Sequence, residues 1–391
     1  MPQLFLAGTG AQRDPKNAMQ WLGTSHVHLF ALDHADPDQQ PQLKRIVTAP
    51  VGCNAMSAAQ LPKAEKTAAV SSFVFTDMAD VHKTGAGGLT LFDVSIEGVT
   101  IGQGEHNRAN TGGRSPCAVA VCPIGLSLTN EEEEAGTTIQ LAAVACYEGR
   151  GDNGDGVVSL IGIRRQAGTG QYSFWHPSST TLEPETETET EIEIEEVEKQ
   201  PLYVVSHDAA SEIGGGATPG DGRQDAAHPH GVTWWCPPTI ASPASEEDQP
   251  VIILLVADLG ANKVVAYAVH RQPSVDGKSG SVSMTLAGFF QLQDGAGPRH
   301  MVLLQHPTNP NRATIVVVNE LDNTVVPISA SITSGESGTV NVGFEGQNVL
   351  STLPPGFEGQ PPFPFYTAPS HAYVSLLPIG PHQHRLRIVI F

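Results

Sequence analysis

Apolar residues in this chain gather into short runs rather than long amphipathic stretches, and one phrase recurs: an apolar run, a turn containing Gly or Asp, and a second run ending in a polar loop. It appears as QLFLAGTG with HVHLFALD, as AVSSFVFTDMAD with GGLTLFDVSI, and as IQLAAVACYEGRGDNGDG with VVSLIGI. It returns as VIILLVADLGANKVVAYAV and as ATIVVVNELDNTVVPIS. The turns LGANK and LDNT carry the Gly, Asn and Asp that tight hairpins need. No segment sustains apolar residues at i, i+3, i+4 and i+7, so long helices are not expected. The hairpins start roughly 65 to 70 residues apart, with one wider gap, a spacing suited to units of four short strands with long loops. The expected fold is therefore all-β, a single β-propeller domain over 1–391; a sandwich would not explain the repeated phrase.

The wider gap holds EPETETETEIEIEEVEK, residues 183–199. Its alternation imitates a strand, but glutamates at every second position would repel one another along one face. It is expected to be a solvated, disordered insertion that the fold does not need. This tract also changes the meaning of the net charge. The chain is formally −20, yet nine glutamates fall between Glu183 and Glu198, four at Glu131–Glu134, and three acids at Glu246–Asp248. The remaining body is close to neutral, which leaves room for a local cationic pocket while offering nothing to nucleic acid or an anionic membrane.

Composition supports many turns, since 40 Gly and 30 Pro make up about 18% of the 391 residues against a usual share of roughly 12%. The five cysteines, Cys53, Cys117, Cys122, Cys146 and Cys236, show no CxxC pair and no metal-finger spacing. Free, mostly buried thiols in a reducing compartment are expected. The start, MPQLFLAGTG, lacks a basic region before its apolar run, and no run approaches the length of a membrane span. A cytoplasmic, unexported protein is the expectation.

Three stretches offer chemistry. In HPHGVTWW, His228 and His230 flank Pro229; extended backbone would aim both imidazoles the same way, although loop histidines also cap backbone groups. In VADLGANKVVAYAV, Asp258 follows an apolar run, where the simplest role is a turn residue accepting local backbone N–H bonds. The loop GAGPRH spans Gly295 to His300 and precedes the strand and turn VVVNEL, Val316 to Leu321. Arg299 can hold a carboxylate or phosphate through two parallel hydrogen bonds, and Glu320 leaves an apolar strand where a carboxylate is costly unless paired or functional. A purely structural Arg299–Glu320 ion pair is the competing account.

Taken in order, HPHGVTWW, VADLGANKVVAYAV, GAGPRHMVLLQHP and VVVNELDNTVVPI resemble the seven-bladed propeller lactonases, which include propeller-type 6-phosphogluconolactonases and fungal carboxy-cis,cis-muconate cyclases. LFLAGTG, NTGGRSPCAVAV from Asn110 and CYEGRGDNGDGVVSL extend the resemblance over residues 3 to about 330; Cys146 stands where the family's Asn-Tyr turn has Asn. The resemblance implies a central cleft faced by His228 or His230, Arg299 and Glu320, with His300 and Asp258 beside the substrate. Arg299 would hold an anionic group, Glu320 or a histidine would take a proton from water, and a histidine would polarise or protonate the leaving oxygen. The pattern also departs at its end: RLRIVIF reads like the strand before the family's Ser-Asn-Arg hairpin, whose arginine also faces the cleft, and the sequence stops at Phe391, so that second arginine and roughly one and a half blades of the pattern are missing. A truncated propeller, exposing apolar faces and lacking the second arginine, is the resulting expectation.

Three functions compete. The leading one is a cofactor-free hydrolase of a small anionic lactone, with muconate lactonisation as its close alternative. A catalytically inactive propeller serving as a binding platform is the second. A metal-dependent lactonase using His228, His230 and Glu320 is the third, disfavoured because Arg299 would repel the ion.

Overall fold

The strand Ile252–Asp258 is apolar at six consecutive positions and buried at every one, and the computed structural model shows why. Ile252, Leu254 and Val256 enter one apolar cluster, while Ile253, Leu255 and Ala257 enter another. Alternate side chains of a strand point to opposite faces, so a strand sandwiched between two neighbouring sheets needs apolar residues on both. The same partition splits Leu141 and Ala143 from Ala142 and Val144, and Ile315 and Val317 from Val316 and Val318. An unbroken apolar run here marks a strand covered on both sides, as in the radial sheets of a propeller.

Side chains are described for residues 57–62, 71–77, 87–93, 108–126, 138–149, 154–165, 171–175, 200–208, 211–217, 222–238, 250–271, 280–335, 339–346 and 348–353, with His28; the strands outside these stretches are described by their backbone. Among the described residues there are strands and no helix. All five predicted hairpins form, from Gln3–Thr9 with His26–Asp33 to Arg312–Asn319 with Thr324–Ser334. Each belongs to one sheet, and the sheets are antiparallel blades.

The second blade contains Ala58–Gln60, Ser71–Asp77, Gly88–Ser95 and Arg108–Asn110. In the third, Arg114–Val121, Ile139–Glu148, Val157–Arg165 and Tyr172–Trp175 follow one another outward, with Tyr203–Ser206 also on Val157–Arg165. The fourth runs Pro229–Trp235, Ile252–Asp258, Lys263–Gln272, Ser281–Gln291, and the fifth Pro298–Gln305, Arg312–Asn319, Thr324–Ser334, Val340–Gly346. The first strands of the third, fourth and fifth blades pack successively against one another. They are the inner strands, and what they present at their ends meets at the centre.

Of the run RLRIVIF, Arg385 to Ile390 lie in the strand Gln383–Ile390, which pairs with the strand before it, Ala372–Gly380; Phe391 lies outside the described residues. The proline-rich stretch 354–371 and the acidic tract 183–199 lie outside the described residues.

Candidate active site

One irregularity recurs on the three inner strands and builds the site. Pro116 pairs with Cys146 and Ala118 with Ala145, so Cys117 is an extra, unpaired residue. His230 is the extra residue between Pro229 and Gly231, and Arg299 between Pro298 and His300. A bulge of this kind re-aims one side chain and bends its strand. Proline suits the position because it lacks the N–H that a regular ladder would require. The loop GAGPRH is the fifth blade's version: Gly295 and Gly297 take φ of 78° and 61°, the left-handed region, and so turn the chain into Pro298 and the Arg299 bulge.

The next strand of each blade supplies a second layer. Cys146, Asp258 and Asn319 pair with the three prolines, and the residues after them are Tyr147, Leu259 and Glu320. Tyr147 and Glu320 thus occupy equivalent positions two blades apart.

Glu320 is almost wholly buried and ion-paired twice. Arg299 Nη1 lies 2.7 Å from its Oε2. Arg223, on the loop entering the fourth blade, donates to Oε1 at 3.1 Å and to Oε2 at 3.0 Å. Burial alone would raise the pKa of Glu320, but the hydrogen bonds from Arg223 and the charges of Arg299 and Arg223 outweigh it and hold the carboxyl below its usual range. Burial resists protonation of Arg223, while its bonds to Glu320 and its contact with the Tyr147 hydroxyl more than offset that. Burial raises the Tyr147 pKa against the influence of Arg223.

His230 shares this environment. Burial, followed by the positive charge of Arg299, holds its pKa down at about 3, so the imidazole is neutral at physiological pH. The ring meets that of Tyr147 edge-on at 6.0 Å between centroids. His228 meets the same ring face-on: it stacks flat on Tyr147, with centroids 3.9 Å apart and planes 4° from parallel. Its Nδ1 lies 2.7 Å from the Tyr147 carbonyl, which can only accept, so the proton belongs on Nδ1 and Nε2 is left towards Asp225 Oδ1 at 3.9 Å. Cys117 adds a thiol whose pKa burial, and then Cys146, push up to about 12. It is no thiolate nucleophile in this state.

The structure brings Arg299, Glu320 and His230 together and places His228 against Tyr147. His300 lies one residue beyond the bulge, half-buried and opposite Val318. Asp258 is completely enclosed. Its Oδ1 accepts the backbone N–H groups of His228 and Ala261, each at 2.8 Å, and its Oδ2 lies 2.6 Å from His207 Nδ1. With that N–H directed at the carboxylate, His207 Nε2 can accept from the Tyr267 hydroxyl at 2.9 Å. Asp258 therefore fastens the start of the His228 strand from behind. Among the described residues no three His, Cys, Asp or Glu side chains cluster as a metal site.

Sequence reasoning missed Arg223 and Tyr147. Arg223 sits in DGRQD, a polar glycine-containing loop with no periodicity to flag it. Tyr147 had a signal, its position at the end of the apolar run LAAVAC and opposite the Pro116–Cys117 bulge, equivalent in the ladder to that of Glu320.

Residues 198–375, which include Arg223, Asp258, Arg299 and Glu320, match the family model described as Lactonase, 7-bladed beta-propeller. The family resemblance read from the sequence holds over that block. Among solved structures, the chain is similar to a candidate 6-phosphogluconolactonase from Bacteroides fragilis, with 15% identity and a TM-score of 0.45 over 84% of this chain and 64% of that one. It is also similar to Drosophila Semaphorin 1b, extracellular domains 1–2, with 10% identity and a TM-score of 0.36 over 74% of this chain and 60% of that one. The chain thus spans less than two thirds of the length of either structure. No curated protein matches it.

Proposed function

We propose that this chain, with the seven-bladed lactonase pattern over residues 198–375, is a hydrolase of small anionic lactones. The observation that carries the reading is Glu320 held as a carboxylate between Arg223 and Arg299, beside a neutral His230. Two guanidiniums against one carboxylate leave a surplus positive charge inside a protein of formal charge −20. That surplus suits a substrate carboxylate or phosphate, which Arg299 can bind through two parallel hydrogen bonds.

In this scheme Glu320 takes a proton from water as the water oxygen adds to the lactone carbonyl carbon. The N–H of neutral His230 donates to the developing oxyanion, a role that needs no imidazolium. Collapse of the tetrahedral adduct breaks the ring C–O bond, and the leaving oxygen receives the proton from Glu320, giving the open hydroxy acid. Asp258 acts as a positioning residue, holding the backbone from which His230 projects. Muconate lactonisation draws on the same anion-binding arginines and remains the alternative substrate assignment within this reading.

A specific observation favours a second reading. Glu320 is engaged on both oxygens by Arg223 and again by Arg299, the pattern expected of an ion-pair scaffold in a binding platform. One assay separates the two: full-length protein, shown folded by circular dichroism, is given 6-phosphogluconolactone, a carboxylated muconolactone and a neutral lactone, with spontaneous hydrolysis subtracted. Turnover of an anionic lactone is expected, and Arg299→Ala should reduce its kcat/KM about tenfold to a hundredfold while sparing the neutral lactone, because a charge-assisted contact of roughly 1.5 to 3 kcal/mol is lost. No turnover by folded protein leaves the platform.

A further inference from the structure

At the far ends of two inner strands lies a second reactive arrangement. Cys122 follows Val121 on the third blade and Cys236 follows Trp235 on the fourth. Their sulfurs are 3.7 Å apart although the residues are 114 apart in sequence. We propose that Cys122 and Cys236 are a redox-active dithiol that a peroxide closes into an inter-blade disulfide.

The placement is held from several sides. Just before the cysteines, the Trp234 indole N–H donates to the Ala120 carbonyl at 3.0 Å, fixing one inner strand against the other. Gln305 of the fifth blade donates to the Cys236 carbonyl at 3.3 Å. A covalent S–S distance of about 2.0 Å lies within reach of side-chain rotation from 3.7 Å, so the blades need not separate or slide. Both thiols are free, Cys236 is part-exposed, and Cys122 lines a cavity of about 500 Å³ with Gln60, Leu61, Pro62, Val121 and Pro123. A small oxidant such as hydrogen peroxide can enter such a space.

The hydrogen bond from Cys236 lowers the pKa of Cys122, while the same bond and burial raise that of Cys236. Cys122 is also the thiol that lines the cavity by which a peroxide would arrive, and that placement makes it the attacking sulfur. Its thiolate attacks one peroxide oxygen, the O–O bond breaks, and the released oxygen leaves as water after taking up a proton; Cys122 is now a sulfenic acid. Cys236 sulfur attacks the sulfenic sulfur, its proton goes to the departing hydroxide, and a second water is released. Two thiols and one hydrogen peroxide thus yield one disulfide and two waters. Because the bridge closes a long loop, it should constrain the unfolded chain and stabilise the native one.

The test treats native, full-length protein with hydrogen peroxide, blocks remaining thiols with N-ethylmaleimide, and maps peptides without reduction. A Cys122–Cys236 cross-linked peptide that dithiothreitol resolves is expected, together with a Tm several degrees above that of reduced protein. Cys122→Ser and Cys236→Ser should each abolish the cross-link and the Tm rise. The proposal is overturned if both thiols of wild-type protein remain alkylatable, if they oxidise singly to sulfinic acid, or if the cross-link appears only in denaturant. The wild-type mapping decides the matter even if a serine variant fails to fold, and no outcome depends on lactone turnover.

Discussion

Arg223 grips both oxygens of Glu320 at 3.1 and 3.0 Å, although the two residues are 97 apart in sequence. The contact joins a connecting loop to the fifth blade, and with Arg299 it turns a costly buried carboxylate into a fixed, ionised group.

Removing the charge should expose that dependence. Glu320→Gln leaves two guanidiniums repelling one another across a neutral amide, and because Arg223 is half exposed the loss is smaller than for a sealed pair, about 2 kcal/mol. Urea denaturation at pH 7 measures it, and an unchanged midpoint would show that the clamp contributes nothing to stability.

The pH dependence has a definite sign. The pKa of Glu320 is lower in the folded state than its ordinary 4.5, so its contribution is full above 4.5 and is lost as pH falls through the folded value. His230 is depressed from 6.5 to about 3, so the unfolded chain binds the extra proton and stability falls as pH drops from 6.5 towards 3. His230→Gln should flatten the stability profile between pH 6.5 and 4.5, and Glu320→Gln should flatten it below 4.5. Denaturation midpoints across pH 3.5 to 7.5 report both, and parallel profiles for wild type and variants would refute the assignment.

Blade spacing at the site has its own probe. A Cβ on Gly231 would stand 2.4 Å from the Arg299 carbonyl oxygen, a backbone atom that cannot swing aside. Gly231→Ala must push the fourth and fifth blades apart beside Glu320, with an expected loss of about 1 to 3 kcal/mol. Differential scanning calorimetry should record the fall in Tm; an unaltered Tm would mean that the inner strands separate freely.

Behind the site, Asp258→Ala should be the most damaging of these substitutions. It strips partners from His207, from the His228 N–H and from the Ala261 N–H, all in a sealed environment, at a cost of about 3 to 5 kcal/mol. Tyr267→Phe removes only the outer hydroxyl of the chain and should cost about 1 kcal/mol. Equal losses in the two variants would contradict the order of the network.

Hairpins, and with them the all-β class, were determined by the sequence alone, because strand periodicity and turn chemistry act over a few residues and need no distant partner. The runs at Ile252–Asp258 and Arg312–Asn319 could be read as strands for that reason. Glu320 and Arg299 were also legible, since a carboxylate at the end of an apolar strand and an arginine in a glycine-proline turn each ask for a partner. Tertiary structure alone decided which partners they have. Arg223 reaches Glu320 only once the fourth and fifth blades pack side by side, and His228 and His230, two residues apart, meet the same Tyr147 ring in different ways, one flat and one edge-on, because His230 sits in a bulge. A β-bulge shifts register by one residue, and one residue reverses the face to which a side chain points, so where Cys117, His230 and Arg299 are aimed depends on how their strands pair, even though a proline precedes each of them in the sequence.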